Sequence, residues 1–244
     1  MQMIADLHTH TLCATHAYNT FTEMAAAAKE IGYCALAVTD HAPAMPDSPH
    51  AWHFQNWSAM PREIGGVVML YGAEANVMDT KGGLDLSESQ LKAQDWVVAS
   101  IHSSCVPGLL TRIWLAVAEN PYVDIIGHSE QENYRYDYDL VTKAFARNHK
   151  VVELNGNSFN VRRDGIPNMR ALLRACLANG CHISVDSDAH STHQLQHGLT
   201  ALYAMLEEMQ FPQELIVNAT RENLVQELQL HGKPCAEEVG GILL

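Results

Sequence analysis

The sequence predicts an α/β fold in which seven parallel strands form an incomplete relative of the (β/α)8 barrel. Short runs rich in β-branched residues alternate with helix-like stretches, which indicates a parallel sheet covered by helices. Side chains able to bind metal recur at the ends of nearly all these runs. Because an open doubly wound sheet gathers its site from only a few strand ends, this distribution favours a barrel.

Each predicted strand is short and is followed by a segment with helical spacing. The strands span Met3–Leu7, Ala35–Thr39, Val67–Ala73, Trp96–Ile101, Val123–Gly127, Val151–Leu154 and His182–Val185. The helices span Thr22–Ile31, Leu109–Glu119, Leu140–Asn148, Met169–Ala178, His193–Met209, Gln213–Asn218 and Arg221–Leu230. The first helix is the clearest, because Thr20 and Glu23 have capping-box spacing and Gly32 follows its end. No linker or repeat divides residues 1–244, so we expect a single domain.

Composition narrows the class of protein. Hydrophobic residues make up 47% of the 244 residues, which is enough for a sizeable core. No segment approaches the ~18 consecutive apolar residues of a membrane helix, and the amino-terminal segment does not resemble a secretory signal. The six cysteines are scattered, so we expect reduced thiols in a cytoplasmic protein. A net charge of −13 disfavours binding to long nucleic acids, whereas a homo-oligomer is left open.

Histidine is unusually frequent, and seven of the fourteen histidines lie at or just beyond strand ends. The first motif is Asp6-Leu7-His8-Thr9-His10, in which both imidazoles leave an extended strand on the same side. The candidate metal ligands are His8, His10, His16, His41, Glu74, His102, His128, Asp188 and His190. Nitrogen and oxygen ligands without a thiolate suit zinc, manganese or iron and do not select one of them. Of the three we expect zinc first, with manganese or iron as alternatives. Asp6 and Asp40 are placed either to orient imidazoles or to cap strand ends.

In order and spacing, these motifs are similar to those of the PHP (polymerase and histidinol phosphatase) superfamily. The matching segments cover most of the chain and are Asp6-Leu7-His8-Thr9-His10, Thr39-Asp40-His41, Gly72-Ala73-Glu74, the single His102 and His128, and Asp188-Ala189-His190. The run Pro49-His50-Ala51-Trp52-His53-Phe54 resembles the stand-alone YcdX-type proteins of that superfamily, for which a phosphatase activity is inferred. One position departs from the family, because Ser129 stands where proline often follows the histidine of the fifth strand.

The resemblance implies a distorted, TIM-barrel-like (β/α)7 fold with its metal centre at the carboxyl-end mouth. It also implies a trinuclear centre of divalent ions. The first ion would be held by His8, His10, Glu74 and Asp188, the second by Glu74, His102 and His128, and the third by His16, His41 and His190. In that arrangement Glu74 bridges two ions.

Three cations in one mouth suit a substrate with several negative oxygens, and a phosphate ester is the simplest such substrate. We therefore expect hydrolysis of small phosphomonoesters by a hydroxide formed from metal-bound water, with Glu74, Asp188 and His10 as catalytic residues. The candidates for binding the phosphorylated substrate are His50, His53, Arg162 and Arg163. The plainer role of the two histidines is packing within the long loop Ala42–Arg62, and that of the arginines is solvation.

Other functions stay open on the sequence alone. Histidinol-phosphate hydrolysis or cleavage of short phosphodiesters would use the same centre. An amidohydrolase-type metalloenzyme also begins with His-x-His, but that class typically supplies a bridging lysine, whereas this chain has Glu74. That alternative also leaves His16 and His41 without a role. A non-catalytic metal-binding PHP module is the alternative outside enzymes, although inactive copies are expected to lose ligands that this chain keeps.

Overall fold

The computed structural model describes residues 2–102, 108–131 and 135–244. Within these ranges the strands, numbered in chain order, are β1 (Ala5–Thr9), β2 (Ala35–Val38), β3 (Glu63–Ile64), β4 (Val67–Asn76), β5 (Trp96–Ser100), β6 (Ile125–Ile126), β7 (Val151–Asn155) and β8 (Ile183–Asp186). The α-helices are α1 (Phe21–Ile31), α2 (Glu88–Lys92), α3 (Leu110–Ala118), α4 (Tyr138–Arg147), α5 (Ser158–Val161), α6 (Ile166–Asn179), α7 (Leu199–Glu208), α8 (Arg221–Leu230) and α9 (Ala236–Leu243).

Seven parallel strands form a nearly closed barrel, which confirms the fold class predicted from the sequence. They pair in the order β1-β2-β4-β5-β6-β7-β8. The two-residue β3 runs antiparallel beside β4. Parallel neighbours need crossover connections, and helices make most of those connections here. None of the helices in the described ranges is both long enough and apolar enough to cross a lipid bilayer.

An irregular seam closes the barrel between β8 and β1. The backbone N–H of Asp188 donates to the carbonyl of His8 at 3.0 Å. Below this contact, the buried side-chain amide of Asn218 donates to the carbonyls of Ala5 at 2.9 Å and Val185 at 2.8 Å. Asn218 therefore satisfies backbone groups that a regular β8–β1 ladder would otherwise pair.

An irregularity within β1 matters for the site. The register of β1 against β2 shifts between Asp6 and Thr9. A bulge of this kind changes the direction in which neighbouring side chains leave the strand. Leu7 packs with Ala5 in a buried apolar cluster. His8, the next residue, instead meets buried acidic side chains at the mouth of the barrel.

The buried apolar side chains form three clusters in the described residues. One cluster of buried side chains includes Val68, Trp96 and Val151, which lie near the starts of their strands, together with Leu228 of α8 and Val239 of α9. The last two helices therefore cover the amino ends of the barrel. A larger cluster packs strand residues against α1, α3, α4, α6 and α7, and the third, smaller cluster includes Leu91 of α2 and Phe54 of the long loop. The carboxyl ends of the strands are left for polar residues.

The helix predicted over His193–Met209 is too long at its amino end. α7 begins only at Leu199, after a loop and a single 3-10 turn. Gly198 adopts a left-handed conformation with φ 72°, and a Cβ atom there would lie 2.0 Å from the carbonyl oxygen of Gly156. Glycine is required at this close approach, and its left-handed conformation prevents an earlier helix start.

The helix predicted over Gln213–Asn218 is wrong. Ile216 is extended, with φ −105° and ψ 108°, and it pairs with Ile183 of β8 in an isolated parallel bridge. Only single 3-10 turns form on either side of it. Over so few residues, an apolar pattern does not distinguish a helix from an extended segment packed on the barrel.

A buried polar network joins α8 to the segments just before β6 and β8. Glu227 lies 2.7 Å from His182 and 3.1 Å from His231. His231 also pairs with Asp124 at 2.9 Å, and Lys233 contacts the same carboxylate at 2.6 Å. Burial alone would lower the pKa of His231 and raise that of Glu227. The ion pairs outweigh burial, so the pKa of His231 is raised and that of Glu227 is lowered.

We expect Glu227→Gln to lower the free energy of unfolding by about 2 kcal/mol near a pH of about 6, because two imidazoles lose an ionic partner. Because the pKa of His231 is raised in the folded protein, its protonated form contributes fully to folding stability at pH values below its ordinary pKa of 6.5. This contribution is lost as the pH rises through the folded pKa. Because the pKa of Glu227 is lowered in the folded protein, its ionised form contributes fully to folding stability at pH values above its ordinary pKa of 4.5. That contribution is lost as the pH falls through the folded pKa. The difference between wild type and variant should therefore be largest between pH 4.5 and 6.5.

Chemical denaturation of wild type and Glu227→Gln at pH values of about 6 and about 9 measures this difference. The exposed Glu237 provides the matched control, since Glu237→Gln removes the same charge outside the network. An equal effect of Glu227→Gln at both pH values would contradict the ionic assignment.

Candidate metal centre

Glu74, near the carboxyl end of β4, lies at the centre of a histidine cluster. Its side chain is fully buried. The two carboxylate oxygens lie between 2.7 and 3.7 Å from nitrogens of five imidazoles, those of His8, His10, His41, His102 and His128. The sequence folds this way locally because Gly72 lets β4 approach β5, where a Cβ atom would lie 2.1 Å from the carbonyl oxygen of Trp96.

Asp188 is the second acidic residue of the cluster. Its Oδ1 lies 3.2 Å from Nε2 of His10 and 3.8 Å from Nε2 of His8. Burial alone would raise the pKa of Asp188, but His8, His10 and Arg162 together hold it well below its usual range. Neighbouring imidazoles likewise outweigh burial at Glu74 and hold the pKa of that carboxyl low. Both side chains are therefore carboxylates in the folded protein.

Two candidate ligands have an uncommon backbone conformation. His128 has φ 28° and Asp188 has φ 55°, both in the left-handed region. The backbone N–H of His128 donates to Oε2 of Glu153 at 2.6 Å, and that of Asp188 donates to the carbonyl of His8. Strained backbone held by hydrogen bonds is typical of functional sites, and here it fixes how both side chains enter the mouth.

Four of the histidines are oriented through Nδ1. The acceptors are Glu153 Oε1 for His8 at 2.7 Å, Asp47 Oδ2 for His16 at 2.6 Å, Asn76 Oδ1 for His102 at 2.7 Å and the Asp188 carbonyl for His190 at 3.0 Å. An imidazole that donates through Nδ1 presents the lone pair of Nε2, as metal-binding histidines commonly do. Sequence patterns did not indicate that Asp47 and Asn76 orient histidines. The one available signal was that Asp47 is the only acidic residue in residues 42–62.

Several buried polar atoms of this cluster make no hydrogen bond to any described residue. They are Nε2 of His8, Nδ1 of His10, Nδ1 of His41, Nε2 of His190 and Oε2 of Glu74. An unpaired buried polar atom costs about 1–3 kcal/mol, so a hydrogen-bonded core does not explain the cluster. Nitrogen and carboxylate donors converging in this way fit divalent cations.

The structure brings all nine sequence-predicted ligands into one cluster, with groupings that partly differ from those implied by the resemblance. Sets of donor atoms within 4.8 Å of one another are His8, His10 and Asp188; His41, Glu74 and His102; His10, His41 and His190; and His16, His41 and Asp47. His16 is the outermost of these side chains and is 49% exposed. Its ring nevertheless stacks on that of His190, with the centroids 4.3 Å apart.

The cleft beside the cluster has a volume of about 420 Å³. Besides candidate ligands, its lining includes Tyr18, Asn157, Arg162, Ser191 and Gln194. Arg162 is mostly buried and donates to Oδ2 of Asp188 and Oδ1 of Asn155, both at 2.9 Å. Its neighbour Arg163 is exposed and donates to the carbonyl of Phe159 at 2.7 Å. The structure thus places Arg162 in the cleft and Arg163 outside it.

His50 and His53 are not among the described residues that line this cleft. His50 is exposed and accepts a hydrogen bond from the backbone N–H of Trp52 at 3.2 Å. His53 helps to line a larger cavity of about 590 Å³, formed by Phe21 and the long loop with its two tryptophans, Trp52 and Trp57. That cavity contains none of the nine candidate metal ligands.

Comparison with known proteins identifies the family. A model of the PHP domain matches residues 6–210. The chain is 40% identical over 238 residues to a probable phosphatase of Clostridium novyi (strain NT), an alignment that covers 96% of this chain and 97% of that protein. It is 38% identical over 237 residues to a probable phosphatase of Caldicellulosiruptor saccharolyticus, with 96% and 99% covered. The protein therefore belongs to the PHP family, as the motifs in its sequence predicted.

A solved structure shows the same fold. Histidinol phosphate phosphatase from Lactococcus lactis subsp. lactis, determined in complex with zinc, L-histidinol and phosphate, superposes with a TM-score of 0.66 at 16% identity. The superposition covers 86% of this chain and 95% of that one. At this identity the likeness establishes the barrel.

We expect Glu153→Gln to weaken zinc binding about 10–100-fold, the usual cost of removing the residue that orients a metal-binding histidine. The carboxylate of Glu153 contacts Nδ1 of His8 with one oxygen and the N–H of His128 with the other, and an amide accepts only at its oxygen. Zinc titration against a competing chelator measures the change, with Glu214→Gln on the surface as control. Unchanged affinity would leave Glu153 with a purely structural role.

Proposed function

We propose that this protein is a metal-dependent phosphatase that hydrolyses small phosphomonoesters at a trinuclear centre. The observation that carries the proposal is Glu74, whose two buried oxygens are shared among five imidazoles. A carboxylate with a different set of nitrogens at each oxygen suits a bridge between adjacent cations. The PHP family and the relatives named probable phosphatases support the reaction class.

Nine side chains would hold the three ions, zinc first and manganese or iron as alternatives. They are His8, His10, His16, His41, Glu74, His102, His128, Asp188 and His190. Bound ions of this kind supply a nucleophile from water at neutral pH and neutralise the charge of a phosphate group. The protein contributes ionised Glu74 and Asp188, with His10 between them, and imidazoles oriented by hydrogen bonds at Nδ1.

Arg162 would bind the phosphate. Among the described residues that line the cleft, it is the one lysine or arginine. Its side chain is held by Ser158, Asn155 and Asp188, so the guanidinium is in place before substrate arrives. These bonds use three of the five N–H groups, so the two N–H groups of Nη1 are left to bind phosphate oxygen at the edge of the metal cluster. The cleft volume of about 420 Å³ favours a small substrate.

Phosphate release from a panel of phosphomonoesters and phosphodiesters tests the proposal, with protein reconstituted separately with zinc and manganese. The expected result is turnover of monoesters that a chelator abolishes and that either metal restores. Histidinol phosphate belongs in the panel because the Lactococcus lactis structure contains L-histidinol and phosphate. Turnover of short diesters alone would overturn the monoester assignment. No turnover on any member, with metals shown to be bound, would favour a non-catalytic module.

A further inference from the structure

A second group of ligand-type side chains lies beside the candidate metal centre and shares no residue with it. Cys13 follows β1, Asp40 lies just after β2, and His53 belongs to the long loop. A sulfur, an oxygen and a nitrogen atom of these three side chains lie within 4.8 Å of one another. Asp40 is buried, and Cys13 and His53 are half-buried. This spacing matches donor atoms around one tetrahedral ion.

The nitrogen of His53 that faces the group lacks a hydrogen bond. Its Nε2 is buried and lies within ion-pair distance of Oδ2 of Asp40 at 3.3 Å, but it has no hydrogen-bonding geometry to any described residue. The ring is fixed by edge-on contacts with Phe54 and Trp57, whose centroids lie 5.0 and 4.7 Å away. A carboxylate and a thiol therefore converge on a buried nitrogen that makes no well-formed hydrogen bond, which points to a ligand that the three side chains share.

Asp40 is positioned for the same role. Its Oδ1 accepts the backbone N–H of Thr11 at 2.6 Å, and its Oδ2 accepts the hydroxyl of Thr11 at 2.8 Å. These bonds fix the carboxylate and use one lone pair on each oxygen, which leaves Oδ2 free to bind a cation beside His53. An ionised thiol and a carboxylate would together balance the charge of one divalent ion.

We propose that Cys13, Asp40 and His53 form a separate mononuclear zinc site, with a fourth position open to water. Thiolate, imidazole and carboxylate are all zinc ligands, and the thiolate distinguishes this site from the nine nitrogen and oxygen ligands of the neighbouring centre. Binding releases the thiol proton of Cys13 to solvent. The ion would tie the long loop, which carries Asp47, to the ends of β1 and β2, and so hold Asp47 against His16.

Cobalt substitution tests the site without reference to activity. Co²⁺ bound to a thiolate gives an intense near-ultraviolet charge-transfer band that nitrogen and oxygen ligands do not give. We expect this band in the wild-type protein and its loss in Cys13→Ser. Elemental analysis should show that Cys13→Ser also binds one equivalent of zinc less than the wild type. Cys34→Ser is the control for a half-buried thiol elsewhere. Cys105 lies outside the described residues, so Cys105→Ser is included and should keep the band.

A measurement on the wild-type chain guards against a variant that folds poorly. We expect zinc to slow alkylation of Cys13 by iodoacetamide by about tenfold or more, as read from its peptide by mass spectrometry, because a metal-bound thiolate is a poor nucleophile. Alkylation of Cys34 should not respond. Any of three results would overturn the proposal. They are a fully metal-loaded protein without the charge-transfer band, a band that survives in Cys13→Ser, and an alkylation rate of Cys13 that zinc does not change.

Discussion

Glu74→Gln is expected to abolish phosphate release, with a loss of about 10³-fold or more in kcat/KM. The substitution preserves the size of the side chain but replaces one carboxylate oxygen with an amide nitrogen that binds neither a cation nor an N–H donor. Because imidazoles approach both oxygens of Glu74, one side of the cluster loses an acceptor whichever way the amide turns, and both sides lose the negative charge. Metal content measured on the same preparation should fall below that of the wild type.

The matched control is Glu227→Gln, the same chemical change at a buried glutamate at the other end of the barrel. That variant should lose stability while retaining turnover and bound metal. Full metal content with near-normal turnover in Glu74→Gln would rule out the bridging role. Circular dichroism of both variants separates loss of the centre from loss of the fold.

Elements with local signals could be predicted from the sequence. The capping box of Thr20 and Glu23 is present in the structure, and Gly32 ends α1 with φ 97°. These contacts lie within a few residues of one another, so the sequence alone determines them. The barrel could be predicted for a different reason. The carboxyl ends of parallel strands converge, so ligand-type residues at successive strand ends indicate a closed arrangement before any pairing is known.

Contacts between residues far apart in the sequence could not be predicted in the same way. Asp47 reaches His16 across 31 residues of sequence, and Asn76 orients His102 across 26. No spacing rule connects such pairs. The path of the long loop to Asp47 depends on packing of its aromatic residues against the barrel, and Asn76 meets His102 only because β4 pairs with β5. Ile216 shows the same limit for secondary structure, since its pairing with Ile183 overrides the helical pattern of its segment.

The adjacent arginines show that a sequence motif alone does not identify which of two neighbouring residues enters the site. Arg162 and Arg163 are equivalent in sequence as candidates for a phosphate, and both follow β7 after a short turn of helix. The chain direction at the end of α5 sends Arg162 toward Asp188 and Arg163 back to a carbonyl of its own turn. Only the three-dimensional path of the turn distinguishes them, and it provides a matched pair for mutagenesis.

Arg162→Gln is expected to lower kcat/KM for phosphomonoesters by about 10²–10³-fold, the usual effect of removing one fixed group that stabilises charge in the transition state. Arg162→Lys should recover only part of this loss, because an ammonium keeps the charge but cannot reproduce the hydrogen bonds that fix the guanidinium in the cleft. Steady-state kinetics on the best monoester of the panel measures both. Arg163→Gln removes the same charge one residue away and should leave kcat/KM within about twofold of wild type, as is usual for a surface substitution.

Bound metal decides whether Arg162 acts on the substrate or only on Asp188. Its guanidinium contacts Oδ2 of Asp188 at 2.9 Å, so its loss has two possible consequences. If Arg162 binds phosphate, Arg162→Gln keeps full metal content and also binds inorganic phosphate more weakly as a product inhibitor. If Arg162 merely positions Asp188, metal content falls and phosphate inhibition of the metal-loaded enzyme is unchanged. The second outcome would contradict the assignment of Arg162 to the substrate.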